Sequence, residues 1–272
     1  SFPLGNILVN NINKIGIIAA ILFSAYACDL DKSPVSEFSE LTVGQSNDST
    51  ANDTLKFSTK EEIFTQYRAL YELLKSGRNL EHAYLDLILV AEAHSDNAYA
   101  GTTGSEVIPM ENNSLDGSNS VLARDWDRYL ADVAQANTVI NNIDKVPDPS
   151  LTAAERKQWK AEAKIFRALV WFDMVRIWGN IPVVMKEGKD ITAENIEEVY
   201  PFYYPEQSTA EVAYQQIIDD LTEAIADAPA NNPGDKTRLS KSVAKALLAK
   251  SYAEKPLRDY NKVLLYCNEI LS

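Results

Sequence analysis

The sequence predicts an all-α chain over most of its 272 residues. Three observations carry that reading. Residues 60–75, 80–93, 125–143, 153–178, 209–228, 240–253 and 258–271 repeat apolar side chains at the helical period. Within them, residues 161–184, AEAKIFRALVWFDMVRIWGNIPVV, are apolar almost all the way round, which requires packing on most sides. In the last third, Ala244, Ala246 and Ala249 are small residues spaced for close helix approach.

The chain before the first helix divides in two. Asn13-Lys14 precede an apolar run over residues 15–27, interrupted only by Gly16 and Ser24. Roughly a dozen residues are too few to span a bilayer, which takes about 20, but they suit the core of a signal peptide over residues 1–27. Ala25 and Ala27 just before Cys28 look like a lipobox, in which peptidase cuts before a cysteine that then carries lipid. The competing reading is a sticky N-terminal segment on a cytoplasmic protein. Residues 28–58 are rich in Ser, Thr, Asn and Asp and read as a tether, leaving residues 59–272 as the helical domain.

The helices follow in order. Residues 60–75 set Ile63, Tyr67, Leu70 and Leu74 at helical spacing and stop at Ser76-Gly77. Residues 80–93 are densely apolar. Residues 125–143 place Trp126, Tyr129, Leu130, Val133, Ile140 and Ile143 on one face, with Asn137 among them. A buried amide must be hydrogen-bonded, so Asn137 is expected to tie a neighbouring backbone. Residues 153–178 end at Trp178-Gly179, where glycine suits the left-handed position and Pro182 blocks resumption. Arg167 has no acid three or four residues away. Trp171 offers it a cation–π face, and its remaining partners must come from another element. Asp173 and Arg176 are spaced to pair. Trp126, Trp159, Trp171 and Trp178 read as core. The last three segments, EVAYQQIIDDLTEAIADAP followed by SKSVAKALLAKSYAEKPLRDYNKVLLYCNEIL, resemble tetratricopeptide-type helix pairs, which hide one face by stacking on neighbours.

Bulk charge excludes several functions. The formal net charge is −13 and the pI about 4.7. That field repels phosphate backbones, so no nucleic-acid partner is expected, and membrane attachment needs a covalent or apolar anchor. Cys267, one of two cysteines, falls in an apolar helical pattern and is expected to be a small buried hydrophobe. His82 and His94 are too far apart for a same-face metal pair, so neither metal nor cofactor is expected. Asp219 and Asp220 point about 100° apart on a helix and cannot flank one bond. Asp220 and Glu223 could share a face. No nucleophile elbow, phosphate loop or metal-binding helix motif is present, and no catalytic residue is assigned.

Residues 161–184 closely resemble the signature helix of the SusD/RagB family, and WDRYLADVAQANTVINNI resembles that family's corresponding earlier helix. The resemblance runs from Cys28 to Ser272. It implies tetratricopeptide-like helix pairs stacked in a right-handed superhelix with long loops. It implies a surface-exposed outer-membrane lipoprotein of Bacteroidetes-type bacteria, lipidated at Cys28, with Asp29 and Asp31 resembling a surface-export signal. Its role would be to capture oligosaccharide or another nutrient for a TonB-dependent, SusC-like transporter. Family members continue well beyond the equivalent of Ser272, so the chain is expected to cover their N-terminal half. The alternative is a helical scaffold that docks on the transporter without a ligand of its own.

Two long connections are the candidate ligand sites. Residues 95–120 hold Asp96, Asn97 and Tyr99, an aromatic face with hydroxyl-binding groups, and the resemblance makes the loop after the second helix a contributor to the ligand site. The same composition suits a solvated loop. Residues 185–208 contain Pro201, Phe202, Tyr203, Tyr204 and Pro205. Tyr203 and Tyr204 could stack on a sugar, pack beneath the loop, or meet the transporter.

Overall fold

The computed structural model describes residues 55–95, 97–101, 104–188 and 191–272. The expectations for residues 1–27, for Cys28 and for nearly all of the tether lie outside them. The described chain is helical, with two isolated bridges and no strand among the described residues.

Helix α1, Lys60–Lys75, starts at Thr59, which accepts from the Glu62 amide while Glu62 reaches back to the Thr59 amide. That reciprocal box satisfies two donors that a helix start leaves open. Ile63, Tyr67 and Leu70 are buried. A short helix α2, Gly77–Leu80, passes into π-helical turns at Glu81–Asp86 and Leu89–Ala93. Helix α3 is one turn, Ile108–Glu111, and α4 runs Ser120–Asn142. Helix α5, Ala153–Trp178, has a Thr152–Glu155 capping box at its start and Gly179 at φ 75° at its end. Helix α6 covers Ile196–Tyr203, α7 Ala210–Ile225, α8 Lys241–Ala253 and α9 Tyr260–Leu271.

Helix α5 is the centre of the packing. It lies between α4 and α7 and also touches α1 and α8. Ile165, Phe166, Trp171, Phe172 and Met174 are all essentially inaccessible. This accounts for its all-round apolar character: at about 39 Å long and wrapped by other helices, it has little wet surface to cover with charge. Trp159 and Trp171 are buried, and Trp126 and Trp178 pack against the core with rings edge-on at 5.2 Å. Beyond α7 the stack continues outward through α8 to α9.

Three local expectations change. The second segment, expected as one densely apolar helix over residues 80–93, runs largely as π-helical turns, with Asn79, His82 and Asp86 buried and Leu80, Tyr84, Leu85 and Ile88 exposed. The cause is polar pairing to α4. Asn79 Nδ2 donates to Asp132 at 2.7 Å, Arg124 bridges Glu81, Asp86 and Asp125, and Arg128 reaches Glu81 at 2.6 Å. Cys267 is exposed, not buried, because α9 packs on α8 by one side only, through Tyr252–Tyr266 stacking and a Lys245–Glu269 ion pair. Arg176 pairs with Glu254 at 3.1 Å rather than with Asp173, and it also lies 5.2 Å from the Phe172 ring.

Candidate functional site

The connection between α5 and α7 is built on a rigid root. Ser208 N donates to the Ile181 carbonyl at 2.8 Å and closes the loop. Four side chains on one face of α4 then hold its first arm. Asn137 Nδ2 donates to the Val184 carbonyl at 2.8 Å and Asn141 Nδ2 to the Met185 carbonyl at 3.1 Å. Thr138 Oγ1 and Asn142 Nδ2 donate to Glu187 at 2.9 and 2.6 Å, and Lys56 Nζ adds an ion pair at 2.6 Å. Residues 137 and 141, and 138 and 142, are one turn apart, so their amides form two neighbouring rows along the helix. The expectation that Asn137 ties a backbone is met at Val184.

On this root sits α6. Val199 is fully buried and anchors it, while Tyr200, Tyr203 and Tyr204 are exposed. Pro201 removes one helical donor, which an exposed turn tolerates. Tyr203 turns toward the root: a side chain at Gly188 would lie 3.5 Å from its ring. Tyr200 and Tyr204, one turn apart, stack with centroids 4.6 Å apart and planes at 27°. They keep 56% and 66% of their surface, so a two-ring strip stands open to solvent. Tyr200 escaped the sequence reading. The i,i+4 spacing of Tyr200 and Tyr204 was there to find, but the flanking prolines disguised the helix that makes the spacing meaningful.

The other candidate loop is tied at the opposite end of α4. Asn119 caps α4 through the Val121 and Leu122 amides, and its Nδ2 donates to the Glu106 carbonyl at 2.9 Å. Met110 of α3 is buried in the interior, His94 Nδ1 lies 2.9 Å from its carbonyl, and Ala100 N donates to Glu111 at 3.2 Å. This frame leaves Tyr99 77% exposed and Asn97 exposed beside it. Asp96 lies outside the described residues. Asn119 and Asn137 are about 27 Å apart along α4 at 1.5 Å per residue, so the two aromatic loops root far from one another.

The helix charges are structural. Arg167 donates through Nε and Nη2 to Asp220, both at 2.8 Å, and through Nη1 to Asn137 Oδ1 at 2.6 Å. Its guanidinium lies 4.8 Å from the Trp171 ring, and both charged partners are almost fully buried. Asn137 therefore links this pair to the loop root. Glu223 pairs with Lys164, while Asp220, three residues earlier, is buried against Arg167. Glu162, wholly buried, accepts from Tyr67, Tyr71 and Arg238 at 2.8, 2.5 and 2.7 Å. Burial and then the Glu162 charge push the Tyr71 hydroxyl up to about 12. At the α4 end, burial and then Asp125 push Asp86 up to about 6, with Arg124 pulling it down. Arg124 sits between these two carboxylates as a clamp, an arrangement that the sequence spacing did not reveal. A hollow of about 430 Å³ lies where α1 and α5 begin, but the Lys60–Glu155 pair at 2.7 Å and the hydrogen bond from the Lys60 backbone N–H to the Asp148 carboxylate at 2.8 Å occupy its rim. It reads as a seam between helices. No cluster of metal-ligating side chains occurs among the described residues.

Residues 43–253 match a SusD-like family model described as "Starch-binding associating with outer membrane", and the chain belongs to that family. A SusD-like protein of Bacteroides ovatus is 28% identical over 166 residues, 61% of this chain and 28% of that protein. A solved laminarin-binding SusD-like protein superposes with a TM-score of 0.63 at 21% identity, covering 79% of this chain and 44% of that one. Surface glycan-binding protein A from Bacteroides fluxus superposes with a TM-score of 0.58 at 21% identity, covering 72% and 40%. The chain thus spans less than half the length of these relatives. The shared fold is the tetratricopeptide-like helical stack that the sequence predicted.

Proposed function

We propose that the chain is the helical part of a cell-surface protein that captures oligosaccharide and passes it to a TonB-dependent, SusC-like transporter. It would be held in the outer membrane by lipid on Cys28. The family match supports the setting, and the similarity to proteins named for laminarin and surface-glycan binding supports the ligand class. The observation that carries the reading is the open Tyr200–Tyr204 strip on a root fixed by four α4 side chains. Preformed aromatic surfaces match the C–H faces of sugars, and Tyr99 with Asn97 offers a second contact of the same chemistry. The step is binding and release, with no bond made or broken. Isothermal calorimetry against an oligosaccharide panel tests capture, and heat with no member refutes it. Co-purification with a barrel partner tests delivery. Mass spectrometry of the membrane-extracted protein tests Cys28, with an unmodified thiol removing the anchor.

A scaffold role has one observation in its favour. Leu80, Tyr84, Leu85 and Ile88 give the π-helical segment an exposed apolar face of the kind protein partners cover. Barrel co-purification without any glycan affinity would favour it.

A further inference from the structure

We infer that the glycan is neutral, that it stacks on the Tyr200–Tyr204 pair, and that uronate-bearing or sulfated glycans are rejected. This rests on the capture reading above and narrows its ligand. The first support is geometric: the two rings form one strip, and α6 presents them from a root that does not need to move. Tyr203, on the same helix, approaches Gly188 of the root instead of joining the strip.

The second support is charge. Between Asn79 and Ala123, and again between Asp190 and Asp235, the sequence holds no lysine and no arginine. These stretches contain Tyr99 and the Tyr200–Tyr204 pair, while the 185–208 connection begins before the second of them. Sites for sugar carboxylates or sulfates use guanidinium forks or ammonium groups, and neither stretch supplies one. Lys186 and Lys189 precede α6 in the chain, at and just beyond the root segment. Around the tyrosines the supply is carboxylate instead. Glu197 lies one turn before Tyr200, Glu206 two residues after Tyr204, and Glu194 at the approach to the helix, all exposed. One helical turn is about 5.4 Å, inside the roughly 8 Å screening length at physiological salt, so an anionic sugar on the strip meets repulsion that salt only partly screens. A neutral sugar meets acceptors for its hydroxyls.

The test is calorimetry of the 272-residue chain against neutral and anionic oligosaccharides of matched length. The neutral set is β-glucan, xylan and mannan fragments; the anionic set is oligogalacturonate, alginate and sulfated fragments. The expected result is binding to at least one neutral ligand, with every anionic ligand at least ten-fold weaker and the gap shrinking as salt rises. Tyr200→Ala and Tyr204→Ala should each lower neutral-ligand affinity ten-fold or more with an unchanged melting curve, while Tyr200→Phe keeps it. Equal or tighter binding of an anionic ligand overturns the charge argument and leaves glycan capture standing. Tyrosine variants with full affinity overturn the platform and likewise leave capture standing. Heat with neither set overturns both.

Discussion

Removing Asp220 is the sharpest test of how the helical stack is held. Arg167 in α5 gives two of its three short hydrogen bonds to that carboxylate, and the third goes to the Asn137 amide. Asp220→Ala leaves a guanidinium almost wholly out of water, faced by one amide oxygen and the Trp171 ring. Breaking a buried pair from one side costs about 3–5 kcal/mol, since the surviving charge keeps its desolvation penalty and loses its compensation. At about 2–4 °C per kcal/mol for a domain of this size, the melting temperature should fall by roughly 6–20 °C. Circular dichroism at 222 nm or calorimetry reads it. The double variant Arg167→Leu with Asp220→Leu should recover most of the loss, because no orphaned charge remains. A single substitution costing under about 1 kcal/mol, or a double variant as unstable as the two singles summed, would refute the claim that α5 and α7 are clamped by this pair.

Other outcomes follow from the same coordinates. Asp86 and Asp173 are pushed up to about 6 by burial, so their charged forms oppose folding. Stability should therefore rise as pH falls from 7.5 toward 5, by on the order of 1 kcal/mol, and Asp86→Asn should flatten part of that rise in urea melts. Thr152→Ala removes the hydroxyl that caps α5 and should cost about 1 kcal/mol; a loss below a few tenths would contradict the capping box. Gly179→Ala meets open space but needs φ 75°, so it should lose roughly 1 kcal/mol by backbone strain alone, read as a shifted urea midpoint. In a Cys28→Ser background the Cys267 thiol should react fully with Ellman's reagent in native buffer. Labelling only in denaturant would restore the buried reading.

Local signals were strong where the chain's own chemistry decided the structure. The end of α5 was legible because a glycine stop and a proline close a largely apolar run, whereas the Thr152 cap at its start emerged from the structure. The packing of α5 on all sides was legible from the same run. Helix α6 was not, since Pro201 and the surrounding polar residues read as loop, and only the burial of Val199 beneath it makes the helix worthwhile. The partner of Arg167 lies 53 residues away, and its identity depends on how α7 docks, which no periodicity encodes. The second segment misled for an instructive reason. Its apolar density signalled a helix but not its orientation, and ion pairs to Arg124 and Arg128 set the rotation about its axis. Of the candidate ligand residues, Tyr99 and Asn97 stand exposed on one loop, and Tyr204 stands beside a partner that sequence alone did not supply.

The amide ladder along α4 separates an exposed segment from the packing that keeps the chain folded. The described surface residues from 191 to 207 lie between two posts, the Asn137–Val184 bond and the Ile181–Ser208 closure. A different insert of similar length, joined at the same posts and keeping an apolar anchor in place of Val199, would change the exposed surface while the packing of α4, α5 and α7 stayed as it is. Such a scaffold lends itself to diversification by exchange of one short segment.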